Sequence, residues 1–212
     1  MFKDKEFIEI EYSLRIKDTL QLIETTNAEE AKKNKVYDSK NKYEPKIICL
    51  GQNQIFPKVE EEIKKENKEF ELTLAPEDAF GKKNPKLLQL ISLSHFRKQN
   101  INPYPGLPVN IDNLMGIVRA VSPGRVIVDF NHPLSGKVML VQVKILRKID
   151  DAKEKVSSLM YGSDKVEIKE DDAIVETNFP QSIYKEMEKT ILDLVPEIKK
   201  VSFKKSEKVP KQ

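Results

Sequence analysis

The sequence has little of the residues that mark several common protein classes. Its single cysteine, Cys49, excludes an internal disulfide, and this cysteine usage fits a reducing cytoplasm. No run of about 18 apolar residues occurs, so we expect no membrane-spanning helix. The first residues, MFKDKEFIEIEY, lack the apolar core of a signal peptide. These absences predict a cytoplasmic protein without a membrane partner.

Charge and histidine content argue against nucleic-acid and metal-binding classes. Lys and Arg number 37, Asp and Glu number 34, and the two signs are interleaved along the chain. A nucleic-acid-binding protein usually concentrates basic residues on one face, so we expect no nucleic-acid partner. The two histidines, His95 and His132, are far apart in sequence and lack cysteine partners, so we expect no metal site and no cofactor.

The first 81 residues predict strands and two short helices. FIEIEYSLRI alternates apolar and polar residues, which is typical of a half-buried antiparallel strand. KIICL and FELTLAP predict two further strands. A short helix is expected within the polar segment TTNAEEAKKNKVYDSKNKYEP, and a second helix is expected to begin at Pro57, a favourable residue for a first turn.

The composition changes between residues 82 and 131. This segment holds five of the 12 prolines and three of the seven glycines. LLQLISLSHF, LPVNID, MGIVRAVS and GRVIVDF are short apolar stretches separated by turn residues, which predicts a small all-β domain. Apolar residues then alternate from Met139 to Ile145, and we expect this strand to return to the first sheet, which otherwise lacks a closing strand.

The last third predicts a small α+β domain over residues 151–205. DDAKEKVSSLM and QSIYKEMEKTILDLV have helical patterns, KVEIKE and AIVETNF suggest a hairpin, and KKVSFKKS suggests a last strand. Residues 206–212 are predicted to be a disordered tail. No residue pattern here indicates a chemistry, which leaves open a role in assembly or partner docking, including self-association.

Three segments together resemble a known family. LAPEDAFGKKNPKLL, SLSHFRKQNINPYPGLPVNID and GRVIVDFNHPLSGK are similar to FK506-binding-protein-type (FKBP-type) peptidyl-prolyl isomerases, above all to the SlyD-like branch and its long archaeal form. The resemblance runs from about residue 5 to residue 150. It implies an α+β fold, with an FKBP-like antiparallel sheet wrapped on a short helix, a small all-β domain inserted in the flap, and a small α+β C-terminal domain.

The resemblance also implies the domain boundaries. The isomerase domain would comprise residues 1–81 plus 132–150, and the insert would comprise residues 82–131. Both ends of an inserted domain must lie close together for the host to close, so PEDAFG and NHPLSG are expected to lie side by side. The alternative is that NHPLSG is merely a hairpin loop.

The family site implied here is an apolar pocket without a nucleophile or general base. Its positions correspond to Tyr12, Ile23, Glu24, Ile55, Phe56, Val59, Phe80 and Val141. Ile23, Val59 and Val141 are aliphatic at positions that often carry rings, which predicts a wider or shallower pocket and weak activity on short peptides. The alternative is that Tyr12 and Phe80 are ordinary core aromatics.

In such proteins the inserted domain holds unfolded chains, so the expected partners are unfolded or nascent polypeptides that contain proline. The candidate client-binding residues are Leu88, Leu90, Ile91, Phe96, Leu114 and Met115. A domain of about 50 residues buries too little surface to hide all its apolar side chains. Two alternatives remain: most of these residues form the core of the insert, or the chain is a chaperone whose isomerase site has largely decayed.

Overall fold

The computed structural model describes residues 1–163 and 165–206. The chain forms two compact units, one made of Met1–Thr73 together with the chain from Leu140 onward, and one made of Leu74–Met139. Within the described residues, no helix is both long and apolar enough to span a bilayer.

The described residues form strands and short helices. The strands are β1 (Phe7–Ile16), β2 (Leu22–Thr25), β3 (Lys46–Cys49), β4 (Glu69–Leu74), β5 (Leu88–Ser92), β6 (Pro108–Ile111), β7 (Leu114–Ser122), β8 (Arg125–Asp129), β9 (Met139–Ile149), β10 (Lys165–Lys169), β11 (Asp172–Thr177) and β12 (Lys200–Lys205). The α-helices are α1 (Ala28–Lys33), α2 (Pro57–Lys64), α3 (Leu93–Lys98), α4 (Ala152–Leu159) and α5 (Tyr184–Leu194).

The first unit contains a five-stranded sheet. Four of its strands lie in the order β2-β1-β9-β4, and β3 also pairs with β1. β1 pairs antiparallel with both β2 and β3. Every second residue from Ile8 on this strand is buried except Tyr12, as the alternation predicts. β9 lies between β1 and β4, so the prediction that this strand returns to the first sheet is confirmed.

Local sequence signals explain where the helices of this unit begin. Asn27 accepts hydrogen bonds from the backbone N–H groups of Glu29 and Glu30 and so caps α1. Pro57 occupies the first turn of α2, where its missing N–H costs no hydrogen bond. Asp151 caps α4 by accepting from the N–H of Glu154 at 2.8 Å.

The C-terminal segment shares a hydrophobic core with the N-terminal sheet. β10 and β11 form the predicted hairpin, and β12 joins it parallel to β11. Phe7 and Cys49 from β1 and β3 pack in one cluster with Val156 of α4 and Ile191 of α5. Burial of such side chains contributes about 1.5–3 kcal/mol each. Of the predicted disordered tail, residues 207–212 lie outside the described residues.

The second unit contains a four-stranded sheet in the order β5-β8-β7-β6, with antiparallel neighbours. The all-β prediction is wrong at one element, because LSHFRK forms α3. The side chain of Ser92 accepts from the N–H of Ser94 and caps this helix, and the helix buries Phe96 against Val118 and Val128 of the sheet. An apolar stretch of this length is compatible with either a strand or a helix.

The PEDAFG and NHPLSG motifs are hydrogen-bonded to each other. The N–H of Gly136 donates to the carbonyl of Gly81 at 2.8 Å, and the hydroxyl of Ser135 donates to the carbonyl of Phe80 at 3.1 Å. Gly81 and Gly136 both have positive φ values, 76° and 74°, which glycine adopts without strain. Because β8 and β9 belong to different sheets, NHPLSG is not a hairpin loop.

A second contact lies just inside these motifs. The N–H of Asn84 donates to the side-chain oxygen of Asn131 at 2.8 Å, and the side-chain amide of Asn131 donates to the carbonyl of Asn84 at 3.1 Å. We call these reciprocal bonds the asparagine clasp. The compact unit Leu74–Met139 also includes the flanking residues on both sides of the predicted insert, and the division into three domains stays a prediction.

Candidate functional site

Tyr12 and Glu24 form the centre of the candidate site. The backbone N–H of Tyr12 donates to the Thr26 hydroxyl oxygen, and the N–H of Thr26 donates to the Tyr12 carbonyl, both at 3.0 Å. These bonds hold the end of β2 beside the middle of β1. The Tyr12 hydroxyl donates to the Glu24 carboxylate. Burial, followed by this hydrogen bond, raises the pKa of Tyr12 well above its usual range. The phenol therefore stays protonated at neutral pH.

An open cleft of about 1050 Å³ lies beside this pair. The ammonium group of Lys46 is 5.9 Å from the centroid of the Tyr12 ring, within the range of a cation–π interaction. Gln54 also borders the cleft, and its side-chain oxygen accepts from the N–H of Cys49 at 2.8 Å. The other lining residues are Glu24, Thr25, Thr26, Lys42, Glu44, Pro45, Ile47, Asp151, Lys153, Glu154, Ser157, Ser158, Leu159 and Tyr161.

The sequence prediction missed Lys46, Gln54 and the whole contribution of α4 to this cleft. Gln54 directly precedes the predicted pair Ile55 and Phe56, so its proximity to the pair was visible in the sequence. For α4 no sequence signal existed, because its approach to Tyr12 results from the packing of distant segments on a shared core.

The predicted pocket residues are not all brought together at one surface. Tyr12 and Glu24 line the large cleft, and Ile23 lines an adjacent cleft of about 490 Å³ that also includes Glu24. The large cleft does not include Ile55, Phe56, Val59 or Val141 in its lining. Pro45, Ile47 and Leu159 provide apolar surface to this cleft instead.

Ile55, Phe56 and Val59 lie at the start of α2. Ile55 and Phe56 are half-buried, and the carbonyl of Phe56 accepts from the N–H of Val59 at 2.8 Å. Val59 is completely buried, and Val141 of β9 is 1% exposed. These two side chains therefore expose almost no surface to a ligand.

Phe80 belongs to the second unit. Its ring stacks on His132, with ring centroids 4.9 Å apart and planes inclined by 7°. His132 is held in turn because its Nδ1 accepts from the N–H of Leu134 at 3.2 Å. The two family motifs therefore fix the orientation of this half-buried ring through direct contact.

The candidate client-binding residues fall at two places on the second unit. Leu88 and Leu90 lie on the edge strand β5, and Leu90 is 64% exposed. Leu114 and Met115 follow the turn between β6 and β7, and Met115 is 66% exposed. Asp112 and Asn113 both have positive φ in this turn, as a tight two-residue hairpin requires. Large exposed apolar side chains at both places are available to a partner.

Two other members of the predicted client-binding set are less accessible. Ile91 is half-buried and packs against the core of this unit. Phe96 is only 1% exposed and lies at the centre of that core. Its inclusion in the client-binding set is therefore corrected: the helix α3 points this ring inward, where a client cannot reach it.

The chain is similar in sequence to several known proteins. Residues 89–134 match a family model described as FKBP26, IF domain. The chain is 26% identical over 147 residues to a short-type peptidyl-prolyl cis-trans isomerase of Methanocaldococcus jannaschii, an alignment that covers 68% of this chain and 92% of the relative.

Two bacterial relatives extend the comparison. The chain is 30% identical over 135 residues to the FKBP-type peptidyl-prolyl cis-trans isomerase SlyD of Helicobacter pylori, covering 60% of this chain and 72% of the relative. It is 40% identical over 80 residues to a probable FKBP-type 16 kDa peptidyl-prolyl cis-trans isomerase of Pseudomonas fluorescens, covering 35% of this chain and 52% of that relative. The archaeal and Helicobacter alignments both extend well beyond the segment that matches the family model.

Proposed function

Because the chain belongs to the FKBP-type peptidyl-prolyl cis-trans isomerase family, with SlyD-like relatives, we propose that it accelerates rotation about X–Pro bonds in unfolded polypeptides. The reaction takes place at the cleft beside Tyr12 and Glu24. The observation that carries this proposal is the hydrogen-bonded Tyr12–Glu24 pair beside an open cleft, in a chain of this family.

The chemistry of the reaction suits such a site. Rotation about a peptide bond meets a barrier of about 18–20 kcal/mol, because resonance keeps the amide planar. An X–Pro bond isomerises unaided in tens to hundreds of seconds. No covalent bond forms or breaks, so the site needs to favour the twisted amide over the planar one, which water solvates well.

The proposed residue roles follow from this requirement. The apolar lining residues of the cleft, Pro45, Ile47 and Leu159, withdraw water from the bound amide. Tyr12 provides ring surface at the cleft. The family resemblance also assigns ring surface to Phe80, and it assigns the contact with the substrate carbonyl to the backbone N–H of Phe56. Glu24 fixes the Tyr12 hydroxyl through their hydrogen bond.

We further propose that the second unit binds the unfolded client and delivers it to this cleft. Leu88, Leu90, Leu114 and Met115 present exposed apolar surface for that purpose. Met115 suits varied partners, since its unbranched side chain adapts to differently shaped surfaces. The match of residues 89–134 to the FKBP26 IF-domain model supports an inserted domain of the same kind. The proposed location is the cytoplasm, and the proposed partners are unfolded or nascent chains.

A comparison of two substrates tests the proposal. Isomerisation is measured for a proline tetrapeptide and for a full-length protein whose refolding is limited by a prolyl bond. We expect weak acceleration on the tetrapeptide and stronger acceleration on the protein, because only the protein can also bind the second unit. Lack of acceleration on both substrates would refute the isomerase proposal.

A second candidate function is a client-binding chaperone whose isomerase site has largely decayed. The specific observation in its favour is the set of aliphatic residues at positions 23, 59 and 141, where rings are usual. Suppression of client aggregation with no acceleration of refolding would support this alternative. Deletion of residues 84–130 should abolish that suppression if the second unit is the client-binding unit.

A further inference from the structure

One exposed aromatic residue stands at the candidate site without belonging to the predicted pocket. Tyr161 follows α4 and lines the large cleft together with Tyr12 and Glu24. It also lines the smaller neighbouring cleft, together with Ile23 and Glu24. Tyr161 is therefore shared by both clefts, whose linings also include three of the residues that the family resemblance places in the site.

The main chain at Tyr161 is held firmly while its side chain is left in solvent. Val156 and Met160 are buried in the core that the C-terminal segment shares with β1 and β3. The N–H of Met160 donates to the carbonyl of Val156 at 3.0 Å, and the N–H of Ser163 donates to the carbonyl of Met160 at 2.9 Å. The Tyr161 residue itself is 76% exposed. Because the backbone is already fixed, a ligand that covers the ring needs to order only the side-chain torsions of Tyr161.

The site lacks ring surface at the positions that usually provide it. Ile23, Val59 and Val141 replace rings, and Val59 and Val141 are buried. A polypeptide in the large cleft would therefore meet few aromatic surfaces besides Tyr12. Tyr161 offers a second ring on the same cleft, from a segment that lies beyond the isomerase domain in sequence.

We infer that Tyr161 is a substrate-binding residue of the isomerase site, and that its ring packs against the residue beside the proline of a bound chain. This inference rests on the proposed function and deepens it. It assigns α4 and Tyr161 as one wall of the substrate cleft, so the C-terminal segment contributes directly to substrate selection. The preferred substrate carries an aromatic side chain next to proline, because two rings in contact gain more than a ring against a methyl group.

The test uses the full-length chain and two tetrapeptides that differ only beside the proline, one with phenylalanine and one with alanine. For Tyr161→Ala we expect kcat/KM on the phenylalanine peptide to fall about threefold to tenfold, mainly through a higher KM. The alanine peptide should change much less. Tyr161→Phe should retain the wild-type values, because the contact requires the ring and not the hydroxyl.

The matched control is Tyr104→Ala, since Tyr104 is an exposed tyrosine of the second unit and lines neither cleft. It should leave both peptides unaffected. If Tyr161→Ala lowers kcat/KM equally on the two peptides, or not at all, the inference is wrong. Unchanged thermal unfolding of the variant would show that an effect on one peptide is not caused by loss of structure.

Direct binding separates this inference from the proposed function. The dissociation constant of each labelled peptide is measured by fluorescence anisotropy for the wild type and for Tyr161→Ala. If the wild-type protein binds the phenylalanine peptide without accelerating isomerisation, the proposed activity is refuted. Weaker binding by Tyr161→Ala would still support the role of Tyr161 in the wall of the cleft. Equal dissociation constants for the two proteins would overturn it.

Discussion

The Tyr12 hydroxyl donates a hydrogen bond to the Glu24 carboxylate, and this bond joins neighbouring strands at the edge of the large cleft. The side chain of Glu24 thereby fixes the rotation of the phenol. Since burial and this bond raise the pKa of Tyr12, the pair presents a neutral hydroxyl at physiological pH. Such a pair positions the Tyr12 ring, while the only hydroxyl proton of the phenol is already donated to Glu24.

Removal of the Tyr12 hydroxyl tests this positioning. We expect Tyr12→Phe to lower kcat/KM about threefold to tenfold, the effect of losing one hydrogen bond. Glu24→Gln should have a smaller effect, because its amide oxygen can still accept from the phenol. Wild-type activity should not decline through Tyr12 deprotonation up to about pH 10, since the raised pKa keeps the phenol neutral there. Tetrapeptide isomerisation measured across pH provides the check, and an unaltered Tyr12→Phe enzyme would contradict the assigned role.

We expect Asp129 to make the stability of the second unit sensitive to acid. Its carboxylate accepts from the side chain of Arg119 at 3.0 Å and from both the backbone and the side chain of Asn131. Burial alone would raise the pKa of Asp129, but these hydrogen bonds and the charge of Lys83 outweigh it and lower the pKa from 3.8 to about 2. A depressed pKa contributes stability above pH 3.8, and this contribution is lost as the pH falls toward 2.

The expected contribution of Asp129 is roughly 2 kcal/mol at neutral pH. Asp129→Asn should therefore destabilise the second unit near pH 7, and the difference from wild type should shrink between pH 4 and pH 2, in keeping with the lowered pKa. Urea unfolding followed by NMR signals of β7 and β8 measures this difference. If the difference in unfolding free energy between the two proteins stays constant over this pH range, the charge of Asp129 is not the cause of the destabilisation.

The exposed and buried apolar residues of the second unit should respond differently to substitution. Leu90→Ser and Met115→Ser remove surface that is already in water, so we expect weaker suppression of client aggregation with little change in unfolding free energy. Phe96→Ala removes a core ring and should cost about 3–5 kcal/mol. Light scattering of an aggregating client and urea unfolding separate the two effects. If a variant that carries both serine substitutions still suppresses client aggregation fully, Leu90 and Met115 do not take part in client binding.

Cys49 should behave as an inert thiol in the folded protein. It is completely buried, and burial, with a smaller effect of the Glu60 charge, raises the pKa of its thiol to about 11. Since the thiolate is the reactive form, alkylation at pH 8 should be slow until the first unit unfolds. The rate of iodoacetamide labelling with and without denaturant measures this protection. Fast labelling of the native protein would mean that this part of the core opens readily.

Local patterns explain the parts of the fold that were predicted correctly. The alternation in β1 and the position of Pro57 at the start of α2 are short-range signals, and both elements form as expected. LSHFRK was misassigned because its helix depends on the Ser92 cap and on burial of Phe96. The strand β2 was missed because only four residues form it and its pairing partner decides its conformation.

The candidate site was predictable only where residue identity carries the family resemblance. Tyr12, Ile23 and Glu24 border neighbouring clefts, as positions implied by that resemblance. The wall formed by α4 and Tyr161 was not foreseen, because more than a hundred residues separate it from β1 along the chain. Packing of Phe7 and Val156 in one core, rather than any local pattern, brings these segments together.

The asparagine clasp also has a consequence for how this chain could change in length. Asn84 and Asn131 bind each other directly, so the two ends of the segment between them lie close together. The entropy of closing a loop grows only with the logarithm of its length, about 0.6 kcal/mol for each doubling. Once the asparagine clasp has formed, segments of very different length could replace the one between Asn84 and Asn131 with little effect on the folding free energy of the rest of the molecule.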